Sequence, residues 1–340
     1  PPRRSAIMPS AMEQNVLPGR VSEVDAESAL VVAPHYDDEV VGCGGLVSRL
    51  ADRGAVVRVL FLSDGRGGVE EVADRDAYAE ERRSEAAAAA EVLGVAGLDH
   101  LDLPDGSLEH HVEEIAAGLR RALLAQRPDL LLVPSPLEAT ADHRAAFAAL
   151  HRLLSPLRRE EPGELMPAAE RLTILAYEVN QPAVPDLLVD VTSELGRLEE
   201  AMDRYPSQQR RHDYLAAALG LRRYRTLTLS AEDGVEAAEG YRRLELADFT
   251  TRSPAQLVAH PGGRLAVAPV ESGPRVSVVV RTLDRPKLLA EALESLAAGS
   301  YRNVQVVLVN DGGRPPEVPE GFPLPLTRVD LPETRGRAAA

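Results

Sequence analysis

Leu30-Val31-Val32-Ala33-Pro34-His35-Tyr36-Asp37-Asp38-Glu39-Val40-Val41-Gly42-Cys43-Gly44-Gly45 decides how the rest of the chain is read. Leu30 to Ala33 is an apolar run that reads as a short buried strand, and Pro34 ends it. A histidine and three acids follow within five residues, then glycines, then a helical pattern through Leu46, Val47 and Leu50. The acids therefore sit where a strand hands over to a helix, which is where open α/β sheets bind ligands. The spacing His35-x-x-Asp38 lets an imidazole and a carboxylate converge on one ion across a tight turn. Zinc accepts both donor types, needs a third that is often distant in sequence, and keeps a position for water. Asp37 lies beside Asp38 but points elsewhere, as the general base of a hydrolase would. The competing reading of the bare pattern is a solvated acidic turn that caps the helix.

Working outward, Ala55 to Leu62 is a second apolar strand, ended by Ser63-Asp64-Gly65. A strand–helix–strand unit with two nearly continuous apolar strands indicates a parallel sheet covered on both faces. A helix over 76–93, a strand over Leu98 to Leu103 and the turn Pro104-Asp105-Gly106 follow. A helix from His110 to Ala125 and a strand over 128–134 come next. The polar run Ser135 to Arg144 then sits at a strand end, before a helix expected over Arg144 to Leu154. Residues 155–170, rich in Pro and Glu, read as a surface loop. Strands are expected over 172–179 and 187–191, and a helix over 195–204.

The opening stretch resembles the PIG-L/LmbE family of zinc-dependent N-acetylglucosaminyl deacetylases, whose signature is a strand, A-H-P-D-D-E and a glycine-rich turn. Tyr36 stands where the family has proline, a change expected in the wall of the site rather than in its ligands. Further matches are Arg82-Arg83-Ser84-Glu85, Leu93-Gly94-Val95, Pro104-Asp105-Gly106, Asp142-His143, Ser207-Gln208 and the segment Glu236 to Arg242. The resemblance spans about 29–249 and implies a Rossmann-like, LmbE-like α/β fold. It implies His143 as the third metal ligand beside His35 and Asp38, and Asp142 as its supporting or pocket residue. It also implies Asp37 as the catalytic base and Arg82 as a sugar contact; an i,i+3 pair with Glu85 is the alternative for Arg82. Many members carry a histidine where this chain has Thr140, so the general acid is unassigned.

Composition resets after residues 250–274, a Pro- and Gly-containing linker. Arg275 to Pro286, a helix from Lys287 and Tyr301 to Gly313 resemble the opening of a family 2 glycosyltransferase of GT-A fold. That resemblance covers about 275–313 and implies a nucleotide-sugar pocket lined by Thr282, Asp284 and Asp311. The family's D-x-D is missing, so this partial domain, taken as 275–340, is not expected to transfer sugar.

Residues 1–28 lack periodicity and read as a leader without a secretory apolar core. The formal net charge of −15 argues against a nucleic-acid or anionic-membrane surface. No apolar run approaches the ~18 residues of a membrane helix, so a cytoplasmic protein is the default. The lone cysteine, Cys43, excludes an intrachain disulfide. The expected activity is removal of acetyl from an N-acetylated amino sugar with Zn2+, and Fe2+ suits the same donors. A degenerate glycan-binding or scaffold module serving the attached transferase is the second reading, which Tyr36 and Thr140 favour.

Overall fold

β1 (Ser28–Ala33) is buried on both sides. Ala29, Val31 and Ala33 enter one core, and Leu30 and Val32 enter the other. That double burial explains the unbroken apolar run. α1 (Asp38–Asp52) packs on the first face so closely that a Cβ at Gly42 would overlap the Tyr177 ring. At Gly45 it would lie 2.5 Å from Val191 Cγ1. The glycines are therefore a packing requirement of this helix. α1 also breaks at Cys43, where φ is −146°. Just beyond the break, the N–H groups of Gly45 and Leu46 donate to Glu239, each at 2.9 Å.

The structure, a computed structural model, describes residues 18–67, 74–157, 163–209, 213–252, 256–257, 273–297, 301–319 and 321–336. Residues 1–17 of the expected leader, part of the expected loop at 158–162, most of the expected linker, His212 and His260 lie outside them. Two units divide at Gly263 and Arg264.

In the first unit the chain continues as β2 (Val56–Ser63), α2 (Arg75–Leu93), β3 (Gly97–Leu103), α3 (Val112–Gln126), β4 (Leu130–Pro134) and α4 (Ala141–Leu154). Then come α5 (Met166–Ala169), β5 (Thr173–Tyr177), β6 (Leu187–Asp190), α6 (Leu195–Met202), α7 (Pro206–Gln209), α8 (Tyr214–Tyr224), β7 (Ala238–Leu244) and α9 (Leu246–Thr251). The seven strands lie in the order β3-β2-β1-β4-β5-β7-β6. The order reverses between β1 and β4, so the loops leaving these two strands face one crevice.

The fold corrects four expectations. The sheet is parallel only from β3 to β5; β7 runs antiparallel to both β5 and β6. β7 reads Ala238-Glu239-Gly240-Tyr241-Arg242-Arg243-Leu244 with six of its seven residues buried, and so mixed a sequence carries no sign of direction. α4 starts at Ala141, three residues before the expected Arg144, which puts Asp142 and His143 on its first turn. The expected surface loop contains α5, where Leu165, Met166, Ala168 and Ala169 are buried, all but Met166 in the second core. α8 was not anticipated; its buried Arg222 makes the helical pattern look more polar than its environment.

The second unit holds β8 (Val276–Thr282), α10 (Pro286–Ala297), β9 (Val304–Asp311) and β10 (Leu326–Leu331). Its strands are parallel, in the order β10-β9-β8. Leu289 and Leu293 of α10 pack on Val306 and Leu308 of β9. Among the described residues no helix is long and apolar enough to cross a membrane.

Candidate active site

Pro34 stops β1, and the chain turns at once into α1. His35 sits in that turn and Asp38 begins the helix. The turn is closed by a bond from the His35 N–H to Asp38 Oδ2, 2.8 Å long. From the neighbouring strand β4, α4 brings His143 to the same place. His35 Nδ1 lies 3.2 Å from His143 Nε2 and 3.4 Å from Asp38 Oδ2, and the third side, His143 Nε2 to Asp38 Oδ2, is 3.3 Å. A tetrahedral ion with bonds near 2.0–2.1 Å holds its ligand atoms roughly 3.3–3.4 Å apart, so the triangle matches one face of such a site.

The outer partners fit the same purpose. His143 Nδ1 faces Glu138 Oε2 at 3.1 Å, and His35 Nε2 faces Asp142 Oδ2 at 3.0 Å. A carboxylate behind each imidazole places the proton on the outer nitrogen and leaves the inner one as a lone pair. Asp142 is held in turn by the N–H groups of Gly106 at 2.8 Å and Leu108 at 2.9 Å. Those bonds make it an orienting group. They also disfavour the alternative donor set of His35, Asp105 and Asp142, in which His35 Nε2 lies 3.5 Å from Asp105 Oδ1. Burial alone would lower the His143 pKa, but the Asp38 and Glu138 carboxylates raise it to about 9. The paired histidines hold Asp38 well below the usual carboxylate range despite its burial. The donor set is therefore built to carry positive charge at its centre, and it suits a divalent cation.

Asp37 stands beside this triangle with a positive φ of 112°, unusual for a non-glycine residue. Its carboxylate lies 3.9 Å from the Arg82 guanidinium. Burial raises its pKa to about 7, against the lowering effect of Arg82. Arg82 is buried, donates to the Tyr36 carbonyl at 2.5 Å and lies 3.6 Å from Asp105 Oδ2. It makes no pair with Glu85, whose carboxylate takes the N–H and hydroxyl of Ser207 at 2.9 and 2.5 Å.

These groups line a cleft of about 640 Å³ together with Val41, Thr140, Asn180, Gln208 and Tyr214. Tyr36 is not in its wall, contrary to expectation. It is fully buried, packs on Phe61, and its hydroxyl meets His100 Nδ1 at 3.1 Å. An aromatic ring at that position has an apolar slot under β1 to fill. Thr140 opens α4 without capping it, and its buried hydroxyl has no hydrogen-bond partner. Sequence reading missed Glu138 and Asn180. Glu138 sits in the polar run after β4 and also accepts the N–H groups of Val179 and Asn180 at 2.7 and 3.0 Å. A carboxylate five residues before His143 was the available signal.

In the second unit, Thr282 and Asp311 end β8 and β9, and Asp284 follows with a φ of 50°. Asp284 Oδ1 accepts the Arg314 N–H at 2.9 Å. Asp311 accepts the N–H groups of Arg335 and Gly336 at 2.7 and 3.2 Å and Arg281 at 2.8 Å. The strand ends gather these residues, and internal donors already hold both carboxylates.

Residues 30–154 match the family described as PIG-L, GlcNAc-PI de-N-acetylase. The chain is 28% identical over 191 residues to a diacetylchitobiose deacetylase of Thermococcus kodakarensis, covering 54% of this chain and 71% of that one. It is 28% identical over 237 residues to a 4-oxalmesaconate hydratase of Pseudomonas putida, covering 63% of this chain and 88% of that one. Among solved structures it is similar to the conserved protein TT1542 of Thermus thermophilus, with 31% identity and a TM-score of 0.51. That match covers 63% of this chain and 93% of the other.

Proposed function

We propose, for a chain whose residues 30–154 are a PIG-L/LmbE deacetylase domain, that the cleft hydrolyses the acetamide of an N-acetylated amino sugar. The observation that carries this reading is the triangle of His35, Asp38 and His143 donor atoms, with sides of 3.2–3.4 Å, and Asp37 beside it. His35, Asp38 and His143 would hold the ion, and Zn2+ suits two imidazoles and one carboxylate. When bound, the ion polarises the amide carbonyl and lowers the pKa of a water to ~7.

Asp37, beside the donor triangle and 3.9 Å from Arg82, would take a proton from a water there and return it as acid. The amide C–N bond breaks, the water oxygen leaves in acetate, and the protons leave on the amine. Glu138 and Asp142 keep the two imidazoles in the tautomers the ion needs. Arg82 keeps Asp37 turned into the cleft and faces the sugar there. The diacetylchitobiose deacetylase supports the substrate class.

The likeness to a 4-oxalmesaconate hydratase favours a second reading, addition of water to an acidic alkene. Asp37, Asp105 and Asp142 line the cleft against Arg82, which already bonds to Tyr36. Such walls suit a neutral amide better than a polycarboxylate. The test is acetate release from a panel including N,N′-diacetylchitobiose, against hydration of 4-oxalomesaconate, each with Zn2+. Hydration without acetate release would reverse the assignment, and neither activity in metal-loaded protein would favour the scaffold reading.

For the second unit we infer the start of a nucleotide-sugar transferase domain, from its parallel strand–helix–strand order and the acids at its strand ends. Thr282, Asp284 and Asp311 would face the nucleotide. Binding of a uridine diphosphate sugar, read by calorimetry, tests it.

A further inference from the structure

We propose that Glu39 and Tyr205 are positioning residues for Asp37, acting through its backbone rather than through the cleft; this rests on Asp37 being the base. Glu39 is fully buried and lies on neither the donor triangle nor the cleft wall. Both of its carboxyl oxygens are engaged. Oε2 accepts the Asp37 N–H at 3.2 Å, and Oε1 accepts the Tyr205 hydroxyl at 2.5 Å. A carboxylate is costly to bury, and an apolar side chain would pack the same space, so these bonds are what the position gains from the acid.

Both ends of this strut are anchored. Tyr205 is itself fully buried, and the two residues after Pro206 are tied to α2. Ser207 bonds to Glu85 at 2.5 Å, and Gln208 bonds to Tyr78 at 3.0 Å. At the other end, the Tyr36 carbonyl is held by Arg82 at 2.5 Å, and the Asp37 carbonyl accepts the N–H groups of Val40 and Val41 at 3.0 and 2.9 Å. Asp37 is thus fixed through both of its peptide groups. A positive φ at a non-glycine residue persists only where its surroundings over-determine it. Glu39 holds the Asp37 N–H and Arg82 holds the carbonyl of the same peptide, so losing the Glu39 bond removes one of the two side-chain restraints on the plane that sets φ and lets the carboxylate shift from its place in the cleft. Displacement of a reacting group by about 1 Å costs on the order of 10²-fold in rate.

The experiment compares Tyr205→Phe, Glu39→Gln and Glu39→Leu in the full chain. Four readouts are metal stoichiometry, kcat, KM and residue-resolved amide exchange of the metal-free protein. Tyr205→Phe should keep one metal, lower kcat about ten-fold, and leave KM within about two-fold. The Asp37 amide should exchange faster while that of Val31, inside β1, is unchanged. Glu39→Gln can still accept the Asp37 N–H and offer its amide to the Tyr205 oxygen, so it should restore most of kcat where Glu39→Leu does not. Wild-type kcat and Asp37 exchange in Tyr205→Phe and Glu39→Leu would overturn the proposal. So would equal acceleration at Asp37 and Val31, which marks general loosening. Asp37→Asn separates the two levels: full turnover in that variant removes the base itself, whereas an inactive Asp37→Asn beside a fully active Tyr205→Phe removes only the strut.

Discussion

Replacing Glu239 by Gln should destabilise the first unit by about 3–5 kcal/mol, the usual cost of removing one partner of a buried ion pair. Glu239 Oε1 accepts Gly45 N–H at 2.9 Å and Arg222 at 2.6 and 3.1 Å; Oε2 accepts Leu46 N–H at 2.9 Å and the Tyr241 hydroxyl at 2.6 Å. A glutamine keeps the shape but has one oxygen. With its nitrogen at the Oε1 position it would face Arg222 and Gly45, which are all donors. The other orientation is better, because the Tyr241 hydroxyl can turn to accept, but it leaves the Leu46 N–H unpaired. That orphan costs about 1–3 kcal/mol, and buried Arg222 loses its counter-charge. With an m-value of about 3 kcal/mol/M for a domain of this size, the urea midpoint should fall by roughly 1–1.7 M. Far-UV circular dichroism measures it. Adding Arg222→Met should recover part of the loss, since it removes the stranded cation. A midpoint shift below about 0.3 M would refute the stabilising role given to the Glu239–Arg222 pair and its N–H bonds.

Three further outcomes are expected. His143→Ala should lose the metal with its fold retained, and stoichiometric metal in the purified variant would sink the ligand assignment. Metal uptake at pH 7.5 should release about one proton or more, because His143, with a pKa of about 9, must give up its proton to bind. The same raised value stabilises the metal-free fold fully below pH 6.5 and less as pH climbs through 9. Calorimetry in buffers of different ionisation enthalpy reads the release, and none would refute the sign. Finally, the chain should release acetate from N-acetylated sugars yet transfer no sugar from a nucleotide donor; observed transfer would show the reading of the second unit to be wrong.

Much of this was legible in the residue order because strand ends mark the site. β1 and β4 are apolar runs, and the polar groups that follow each of them face the same crevice. His35 and Asp38 could be paired on that basis, the family resemblance added His143, and the structure brings their donor atoms together. The supporting groups were hidden because their partners are remote. Glu39 meets Tyr205 at a separation of 166 residues, and Gly45 meets Glu239 at 194. Nothing local distinguishes such an acid from one on a solvated face. Tyr36 misled for a related reason: a residue inside a polar motif was expected at the cleft, but its ring turns under the sheet.

The donor triangle also has a use as a clock. Its histidines lie 108 residues apart and become neighbours only when β1 and β4 have paired, Ala29 beside Leu130 and Val31 beside Leu132. All of α1, β2, α2, β3 and α3 lies between those two strands in the chain. A partly collapsed chain with β1 and β2 joined would still lack the centre. Capture of a coloured ion such as Co2+ during refolding would therefore time one event, the closing of the sheet at its point of reversal. Long-range pairings of this sort are slow to form. Colour should lag behind the recovery of helix signal, and the lag would measure how long the two halves of the sheet exist before they meet.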